Sequence, residues 1–250
     1  MRSPDAKPKR IVAIVCAAGV GTRFGGGPGS KLDADLCGKP VLVRAAEALA
    51  QRPEIALTIV AGPAHPDALE VFCDRYGRIF EALGAHIHPG GIHERSETVR
   101  AGLHALEGYG IEIDAVLVHD GARPCTPSHV ISSVILALSE HRAVVPAVPV
   151  ADTLKRADTS NQPGVVQETI DRRGLFACQT PQGFDLALLR RAHSQEDLSS
   201  TDDAQLVERL GETVVLVPGD ARNVKITRPD DLLLARAIWP SLAGVARPAQ

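Results

Sequence analysis

The sequence predicts an α/β protein, with a mostly parallel twisted β-sheet and helices on both of its faces. Short runs of β-branched residues alternate with segments of helical periodicity along the chain. Hydrophobic residues make up 44% of the chain but aromatic residues only 3%. The core must therefore be built from Val, Ile, Leu and Ala, which suits buried parallel strands. The 250 residues are enough for one large core, so we expect a single domain over 1–250.

Strands and helices are predicted to alternate up to residue 150. Apolar runs predict strands at 11–16, 57–61, 85–88, 115–119 and 143–150. Helical spacing predicts helices at 40–51, 67–76 and 97–106, and a fourth helix that Thr126-Pro127 caps and that runs to about 139.

A polar segment at about 151–174 interrupts this alternation. Two short alternating pieces flank Ser160-Asn161-Gln162-Pro163-Gly164, which predicts a hairpin arm. An arm this polar does not fold alone, so we expect it to pack on a partner subunit in a homodimer. The chain then resumes with helices, short strands and a closing helix, predicted at 185–192, 202–210 (capped by Thr201 and ended by Gly211), 213–217, 223–226 and 229–239.

Composition excludes several classes of protein. The 27 Lys and Arg residues are balanced by 30 Asp and Glu, so there is no net positive field for binding nucleic acid. No apolar run reaches the ~18 to 20 residues of a membrane span. The five cysteines are scattered and form no C-x-x-C pair, which favours a reducing compartment and small buried thiols. With no secretory signal recognisable in the first residues, we expect a cytoplasmic protein.

A glycine-rich loop follows the first predicted strand. Six glycines lie in the eleven residues from Gly19 to Gly29, where they let a backbone approach a ligand closely and point its N–H groups inward. This position is where open α/β sheets bind anionic ligands. The spacing fits neither a dinucleotide fingerprint nor a Walker loop. The loop carries Arg23 and Lys31, which suit a polyphosphate whose charge rises during reaction. The alternative is a flexible surface loop.

A carboxylate ends the fourth main strand, in Val118-His119-Asp120-Gly121-Ala122-Arg123-Pro124. Asp120 comes where a parallel strand delivers its side chains to the ligand crevice. A carboxylate beside bound phosphates is typically a Mg²⁺ ligand, whereas a turn Asp that caps its own backbone is the alternative. We interpret His119 as a packing or orienting residue.

Other polar groups have sufficient structural explanations. His86, His88 and His93 have no nearby Cys and are expected to be solvated. Asp202 and Asp203 complement the dipole of the helix that they precede. Lys225 is predicted on a short strand. No Gly-x-Ser-x-Gly elbow supports acyl hydrolysis.

Together these pieces resemble the 2-C-methyl-D-erythritol 4-phosphate cytidylyltransferases of the non-mevalonate isoprenoid pathway. The resemblance covers about residues 10–240 and is most specific in the His-Asp-Gly-Ala-Arg-Pro segment and in the arm. The matching motifs, in chain order, are Ala17-Ala18-Gly19-x-Gly21-x-Arg23, Lys31, Gly90-Gly91, Arg95-Ser96-Glu97-Thr98-Val99, Val118 to Pro124, Asp152-Thr153-Leu154-Lys155-Arg156, Thr169 to Arg172, Gln179-Thr180-Pro181-Gln182, Thr201 to Ala204 and Asn223 to Thr227.

The resemblance implies a Rossmann-like nucleotidyltransferase fold whose β-arm makes a homodimer. It also implies the joining of CTP and methylerythritol 4-phosphate, with Mg²⁺ as the cofactor and release of pyrophosphate. By motif position, the implied catalytic residues are Arg23, Lys31, Arg172 and Lys225, and the implied metal ligand is Asp120. The implied nucleotide-binding residues are Ala17, Ala18, Gly19, Gly21, Gly91, Arg95, Thr98 and Gly121. The implied substrate-binding residues are Thr153, Arg172, Thr180 and Lys225, with Thr153 and Arg172 reaching the partner's site.

The chain departs from the family pattern in its glycine-swollen loop, in Ser30 before Lys31, in His93 at a usually acidic position and in Thr98 where Ser is usual. Two alternatives remain open at this stage. A cytidylyltransferase for ribitol 5-phosphate shares the loop and the His-Asp-x-Ala-Arg segment. A non-catalytic nucleotide-binding protein could keep the fold, although Lys31, Asp120 and Lys225 are all present.

Overall fold

The computed structural model describes residues 10–19, 31–160 and 163–243. Its strands are β1 Ile11–Cys16, β2 Asp35–Leu36, β3 Lys39–Pro40, β4 Ile55–Gly62, β5 Ala85–Pro89, β6 Ala115–Asp120, β7 Ala143–Pro149, β8 Leu154–Asp158, β9 Val165–Ile170, β10 Phe176–Cys178, β11 Gln182–Asp185 and β12 Val215–Pro218. Its α-helices are α1 Val41–Ala50, α2 Pro66–Ala82, α3 Arg95–Ala105, α4 Ser128–Ala137, α5 Leu186–His193, α6 Asp203–Glu208 and α7 Pro229–Leu242.

An eight-stranded sheet organises these elements in the order β10-β7-β11-β6-β1-β4-β5, and β12 pairs with β7. Strand β1 is parallel to both β4 and β6, and β4 is parallel to β5. Among the described strands of this sheet, only β10 and β11 run antiparallel to their neighbours. The predicted mostly parallel α/β fold is therefore confirmed.

Strand β1 shows why this sequence forms a central strand. Its residues Ile11 to Val15 are all buried, because each of the two faces of the strand packs in a different hydrophobic cluster. One cluster includes Leu42 of α1 and Phe80 of α2, and the other includes Val99 of α3. Helices thus cover both faces of the sheet, and the carboxyl ends of its parallel strands remain free to form a site.

Three local predictions were wrong. Of the predicted Thr126-Pro127 cap, Pro127 is the N-cap of α4 but Thr126 makes no side-chain cap, because its Oγ1 lies 2.8 Å from Asn223 Oδ1 and 3.1 Å from the Arg123 carbonyl oxygen. The side chain that caps α6 belongs to Asp202 rather than to Thr201. Residues 223–226 form a loop, so Lys225 lies on a loop and not on a strand.

The predicted arm is present as an antiparallel hairpin of β8 and β9, outside the main sheet. Nearly all of its side chains are exposed, including Val165 at 68% and Val166 at 56%. Apolar side chains on a two-stranded ribbon need a covering surface. The partner expected for this arm stays a prediction.

All five cysteines are free thiols. The expectation that they are buried was wrong for Cys37, Cys73 and Cys178, which are exposed, and correct for Cys125. Within the described residues, no helix is long and apolar enough to cross a membrane.

Candidate active site

The candidate site lies where β1, β4, β5 and β6 end at one edge of the sheet. Cys16, which ends β1, is the register partner of Asp120, which ends β6. A pocket of about 270 Å³ opens at this edge, and its wall also includes the loop that follows β5. Nine residues predicted for the site line this pocket: Ala18, Gly19, Lys31, Gly91, Arg95, Thr98, Asp120, Gly121 and Lys225.

The remaining predicted residues lie elsewhere. Arg23 and Gly21 lie outside the described residues. Ala17 is buried, donates its N–H to the Ala61 carbonyl at 2.8 Å and does not line the pocket. Thr153 and Arg172 are exposed at the base of the arm, where the Arg172 guanidinium donates to the Ala151 carbonyl. Neither lines the pocket of its own chain.

Three cations surround the carboxylate of Asp120, which is only 6% exposed. Arg95 Nε donates to Oδ1 at 2.9 Å, Lys225 Nζ lies 3.0 Å from Oδ2, and Arg123 Nε donates to Oδ2 at 3.3 Å. Arg123 also donates to the Asn223 carbonyl at 2.7 Å, which ties the Lys225 loop to the end of β6. This cluster concentrates positive charge at one point of a chain whose net charge is −3.

The charge state of Asp120 follows from these neighbours. Burial alone would raise the pKa of this carboxyl, but Arg95, Lys225 and Arg123 outweigh burial and hold the pKa well below its usual range. Asp120 is therefore an anion at neutral pH.

The donor set around Asp120 fits Mg²⁺ only if the ion arrives with phosphate ligands. No group of three or more His, Cys, Asp or Glu side chains forms a metal cage in the described part of the chain. Mg²⁺ keeps several waters and is commonly bound by one or two carboxylates plus substrate phosphates. One ionised carboxylate in a cationic pocket matches that pattern.

Asp203 extends the charge cluster into the core, which the sequence analysis missed. It is 1% exposed, accepts from Arg95 Nη1 at 2.5 Å and lies 3.0 Å from His193 Nε2. Burial opposes ionisation of Asp203, but Arg95 and His193 hold its pKa below the usual value. Arg95 is thus clamped between two carboxylates. The position of Asp203 at the start of α6 had suggested only an interaction with the helix dipole. Nothing in the local sequence shows that the Asp203 side chain turns into the core.

His119 orients the strand end that carries Asp120. Its Nε2 lies 3.2 Å from the Arg123 carbonyl, so this nitrogen carries the proton. Its Nδ1 lies 2.9 Å from Thr180 Oγ1, and Thr180 in turn accepts from the Asp120 N–H at 3.0 Å. The Thr180 hydroxyl therefore donates to His119. The interpretation of His119 as an orienting residue agrees with this geometry.

The burial of His119 predicts a pH-dependent stability. Burial lowers the pKa of His119 from 6.5 to about 4, although Asp120 opposes the shift. In the unfolded chain the His119 imidazole takes up a proton near pH 6.5, whereas in the folded chain it stays neutral until about pH 4. The contribution of His119 to the free energy of unfolding is therefore complete above pH 6.5 and is lost as the pH falls toward 4. The loss amounts to about 3 kcal/mol of unfolding free energy.

Denaturant unfolding between pH 8 and pH 4, with a chelator present, measures this loss. We expect His119→Gln to be less stable at pH 8 but to show a flatter profile below pH 6.5. His141→Gln, at an exposed histidine, serves as the control and keeps the wild-type slope. An unchanged slope in His119→Gln would contradict a neutral buried imidazole.

The loop from Gly91 to Glu94 forms one wall of the pocket. Glu97 Oε2 accepts from the backbone N–H groups of Ile92 at 3.1 Å and His93 at 2.9 Å. Thr98 Oγ1 accepts from the Gly91 N–H at 3.2 Å. A Cβ on Gly91 would lie 2.4 Å from Glu97 Cβ and 2.6 Å from Thr98 N. Only glycine lets this loop lie so close to the start of α3.

We expect Gly91→Ala to displace this wall and weaken the binding of the ligand that it contacts. If the ligand is CTP, its KM should rise roughly 10-fold or more, with a smaller change in kcat. Gly77→Ala is the matched control, because a Cβ at Gly77 in α2 meets nothing within 4 Å. Steady-state kinetics with varied CTP measures both variants, and equal KM values would contradict a role for this wall.

A second pocket of about 180 Å³ adjoins the first and shares Arg95, Asp120 and Lys225 with it. Thr180, predicted to bind substrate, lines this pocket. The Asp120 cluster therefore lies between two spaces, as a site that joins two ligands would require.

Comparison with known proteins agrees with this geometry. The family model for 2-C-methyl-D-erythritol 4-phosphate cytidylyltransferase (IspD) matches residues 11–241. The chain belongs to the 2-C-methyl-D-erythritol 4-phosphate cytidylyltransferase family. This result confirms the resemblance that the motifs predicted.

Relatives of that name include one from Frankia casuarinae, 42% identical over 95% of this chain and 84% of its own length. Another, from Streptomyces coelicolor, is 44% identical over 92% of this chain and 85% of its own length. A crystal structure of a 4-diphosphocytidyl-2C-methyl-D-erythritol synthase is 33% identical with a TM-score of 0.76, covering 94% of this chain and all of that one. The Thermus thermophilus 2-C-methyl-D-erythritol 4-phosphate cytidylyltransferase structure is 33% identical with a TM-score of 0.69, covering 91% and 98%.

Proposed function

We propose that the protein is a cytidylyltransferase that joins CTP and 2-C-methyl-D-erythritol 4-phosphate, giving 4-diphosphocytidyl-2-C-methyl-D-erythritol and pyrophosphate. One observation carries the proposal beyond family membership: residues of the Asp120 cluster line two adjoining pockets at the ligand edge of the sheet. The first pocket is lined by Gly19, Gly91 and Gly121, whose segments can present backbone groups to a nucleotide. The second pocket is smaller.

The reaction in this proposal is an in-line displacement at the α-phosphorus of CTP. The substrate phosphate attacks, the bond to the β-phosphate breaks, and pyrophosphate leaves with the electron pair. Both reactants are anions, so the barrier comes from their repulsion and from charge that builds on the α-phosphate. A phosphate monoester is already ionised, so no general base is needed. Positioning and cationic stabilisation then supply the catalysis.

The proposed roles combine the place of each described residue in the site with its motif position, and the role of Arg23 rests on motif position alone. Lys31 lines the first pocket and, with Arg23, stabilises the charge on the reacting α-phosphate. Lys225 lines both pockets and holds the substrate phosphate. Thr180 bounds the second pocket. The remaining nucleotide contacts are assigned to Ala18, Gly19, Gly91, Arg95, Thr98 and Gly121, which line the first pocket, and, on motif position alone, to Gly21.

Mg²⁺ is part of the proposal, with Asp120 as its ligand from the protein. The ion supplies charge neutralisation for the triphosphate and for the leaving pyrophosphate. Arg95 and Arg123 keep the Asp120 carboxylate ionised and in place, and Thr180 fixes its backbone.

A homodimer is also proposed, in which the arm brings Thr153 and Arg172 to the partner's substrate pocket. The exposed Val165 and Val166 on β9, and the absence of Thr153 and Arg172 from the pockets described within their own chain, support this arrangement. We place the protein in the cytoplasm, since three exposed free thiols suit a reducing compartment.

Pyrophosphate release with CTP tests the proposal directly. We expect Mg²⁺-dependent release with methylerythritol 4-phosphate and little with ribitol 5-phosphate, which the motifs left open as an alternative. Preference for ribitol 5-phosphate would establish that alternative. If neither alcohol phosphate supports turnover while CTP still binds in calorimetry, the protein is a non-catalytic nucleotide-binding member of the fold.

A further inference from the structure

The second pocket has two chemically different parts. Its wall includes the three cationic residues whose side chains surround Asp120, namely Arg95, Arg123 and Lys225. Another part of the wall is formed by Gln182 and Asp202, whose side chains are hydrogen-bonded to each other. A cationic part and an acceptor-rich part suit a ligand that has a phosphate at one end and hydroxyl groups at the other.

Asp202 has unused capacity to accept hydrogen bonds. Its Oδ1 accepts from the Gln205 N–H at 3.0 Å and its Oδ2 accepts from Gln182 Nε2 at 2.7 Å. A carboxylate offers about four acceptor positions on its two oxygens. These two contacts hold the carboxylate in one orientation at the pocket wall and leave further positions for donors.

Gln182 adds a second, independent sign that a donor belongs here. The residue is only 1% exposed, and its Oε1 has no hydrogen-bond partner among the described residues. Buried amide oxygens are almost always partnered. Hydroxyl groups are the neutral donors that would match both the Asp202 carboxylate and this amide oxygen without adding charge.

We propose that Asp202, oriented by Gln182, binds hydroxyl groups of the alcohol and so selects a polyol phosphate over other phosphate monoesters. The inference rests on the proposed cytidylyltransfer and assigns substrate specificity within that reaction. Asp202 is a specificity-determining residue here, and Gln182 is a positioning residue that acts through it. Discrimination is large when a missing substrate hydroxyl leaves such acceptors unpaired.

Asp202→Asn tests the proposal without removing the helix cap, because Asn and Asp cap helices about equally well. The matched control is Asp185→Asn, since Asp185 caps α5 by accepting from the Leu188 N–H at 2.9 Å and does not line the second pocket. Asp202→Ser, which also keeps a good cap but lacks the carboxylate, is the second variant. Melting temperatures of all three show whether the caps remain intact.

Steady-state kinetics at saturating CTP gives the readout. For Asp202→Asn and Asp202→Ser we expect the KM of methylerythritol 4-phosphate to rise about 10-fold, with the KM of CTP nearly unchanged. The wild type should discriminate against deoxy analogues of the alcohol phosphate, and both variants should lose the penalty for one of the missing hydroxyls. Asp185→Asn should behave like the wild type in every assay.

Two outcomes overturn the inference. In the first, the KM of methylerythritol 4-phosphate changes no more in the Asp202 variants than in Asp185→Asn. In the second, the Asp202 variants discriminate against the deoxy analogues as strongly as the wild type does. Failure of the wild type itself to turn over methylerythritol 4-phosphate would instead refute the proposed function. The two failures are therefore distinguishable in one set of measurements.

Discussion

Replacing Lys31 by alanine is expected to slow the release of pyrophosphate by ~10²-fold or more, the loss typical of one oxyanion-stabilising donor. Lys31 lines the first pocket where the chain returns from the glycine-rich loop. In the proposed mechanism, its ammonium stabilises charge that develops on the α-phosphate more than charge already present in bound CTP. The loss should therefore appear in kcat rather than in the KM of CTP.

Lys39→Ala is the matched control for this variant. Lys39 pairs with Glu47 at 2.6 Å and does not line the pocket, so its loss should leave the rate unchanged. Thermal unfolding should show that Lys31→Ala is folded. Wild-type turnover in Lys31→Ala would remove this residue from the proposed mechanism.

Asp120→Asn is expected to have the second large effect, and on two quantities at once. The carboxamide has the shape of the carboxylate but leaves Arg95, Arg123 and Lys225 without the anion that they surround. Breaking a buried ion pair from one side typically costs 3–5 kcal/mol, and Lys225 is partly exposed, so we expect a loss of about 3 kcal/mol in the free energy of unfolding. Turnover should fall by ~10²-fold or more, because the proposed Mg²⁺ ligand is lost.

Denaturant unfolding and kinetics across a range of Mg²⁺ concentrations measure these two effects. Asp74→Asn, an exposed carboxylate on α2, provides the control and should change neither. If Asp120→Asn lost stability but kept its Mg²⁺ dependence, Asp120 would be a structural anion only.

Local sequence patterns predict much of the fold. The run Ile11 to Val15 is apolar throughout because both faces of β1 are covered, and no helix needs five such residues in a row. Strand β11 could not be predicted in this way. It carries Gly183, and a Cβ there would lie 2.7 Å from Val134 and 2.8 Å from Leu138. Only contact with α4 and pairing between β6 and β7 define it as a strand.

The residues of the candidate site were likewise predictable only where a local motif marks them. The location of Asp120 and Lys31 at the pocket was predictable, since both follow from motifs at a strand end and a loop end. Asp203 was not, because its burial depends on Arg95 and His193, which lie 108 and 10 residues away in the chain. The role proposed for Asp202 depends in the same way on its contact with Gln182, 20 residues earlier. Local patterns therefore locate the site, and tertiary contacts define the shell around it.

The fate of the phosphates of CTP shows which phosphorus the substrate attacks. Parallel reactions would use CTP labelled at the α- or at the γ-phosphorus, with unlabelled methylerythritol 4-phosphate and Mg²⁺. Attack at the α-phosphorus places the α-label in the cytidine diphosphate-linked alcohol and the γ-label in pyrophosphate. Transfer of the γ-label to the alcohol phosphate, or no α-label in the alcohol product, would contradict attack at the α-phosphorus.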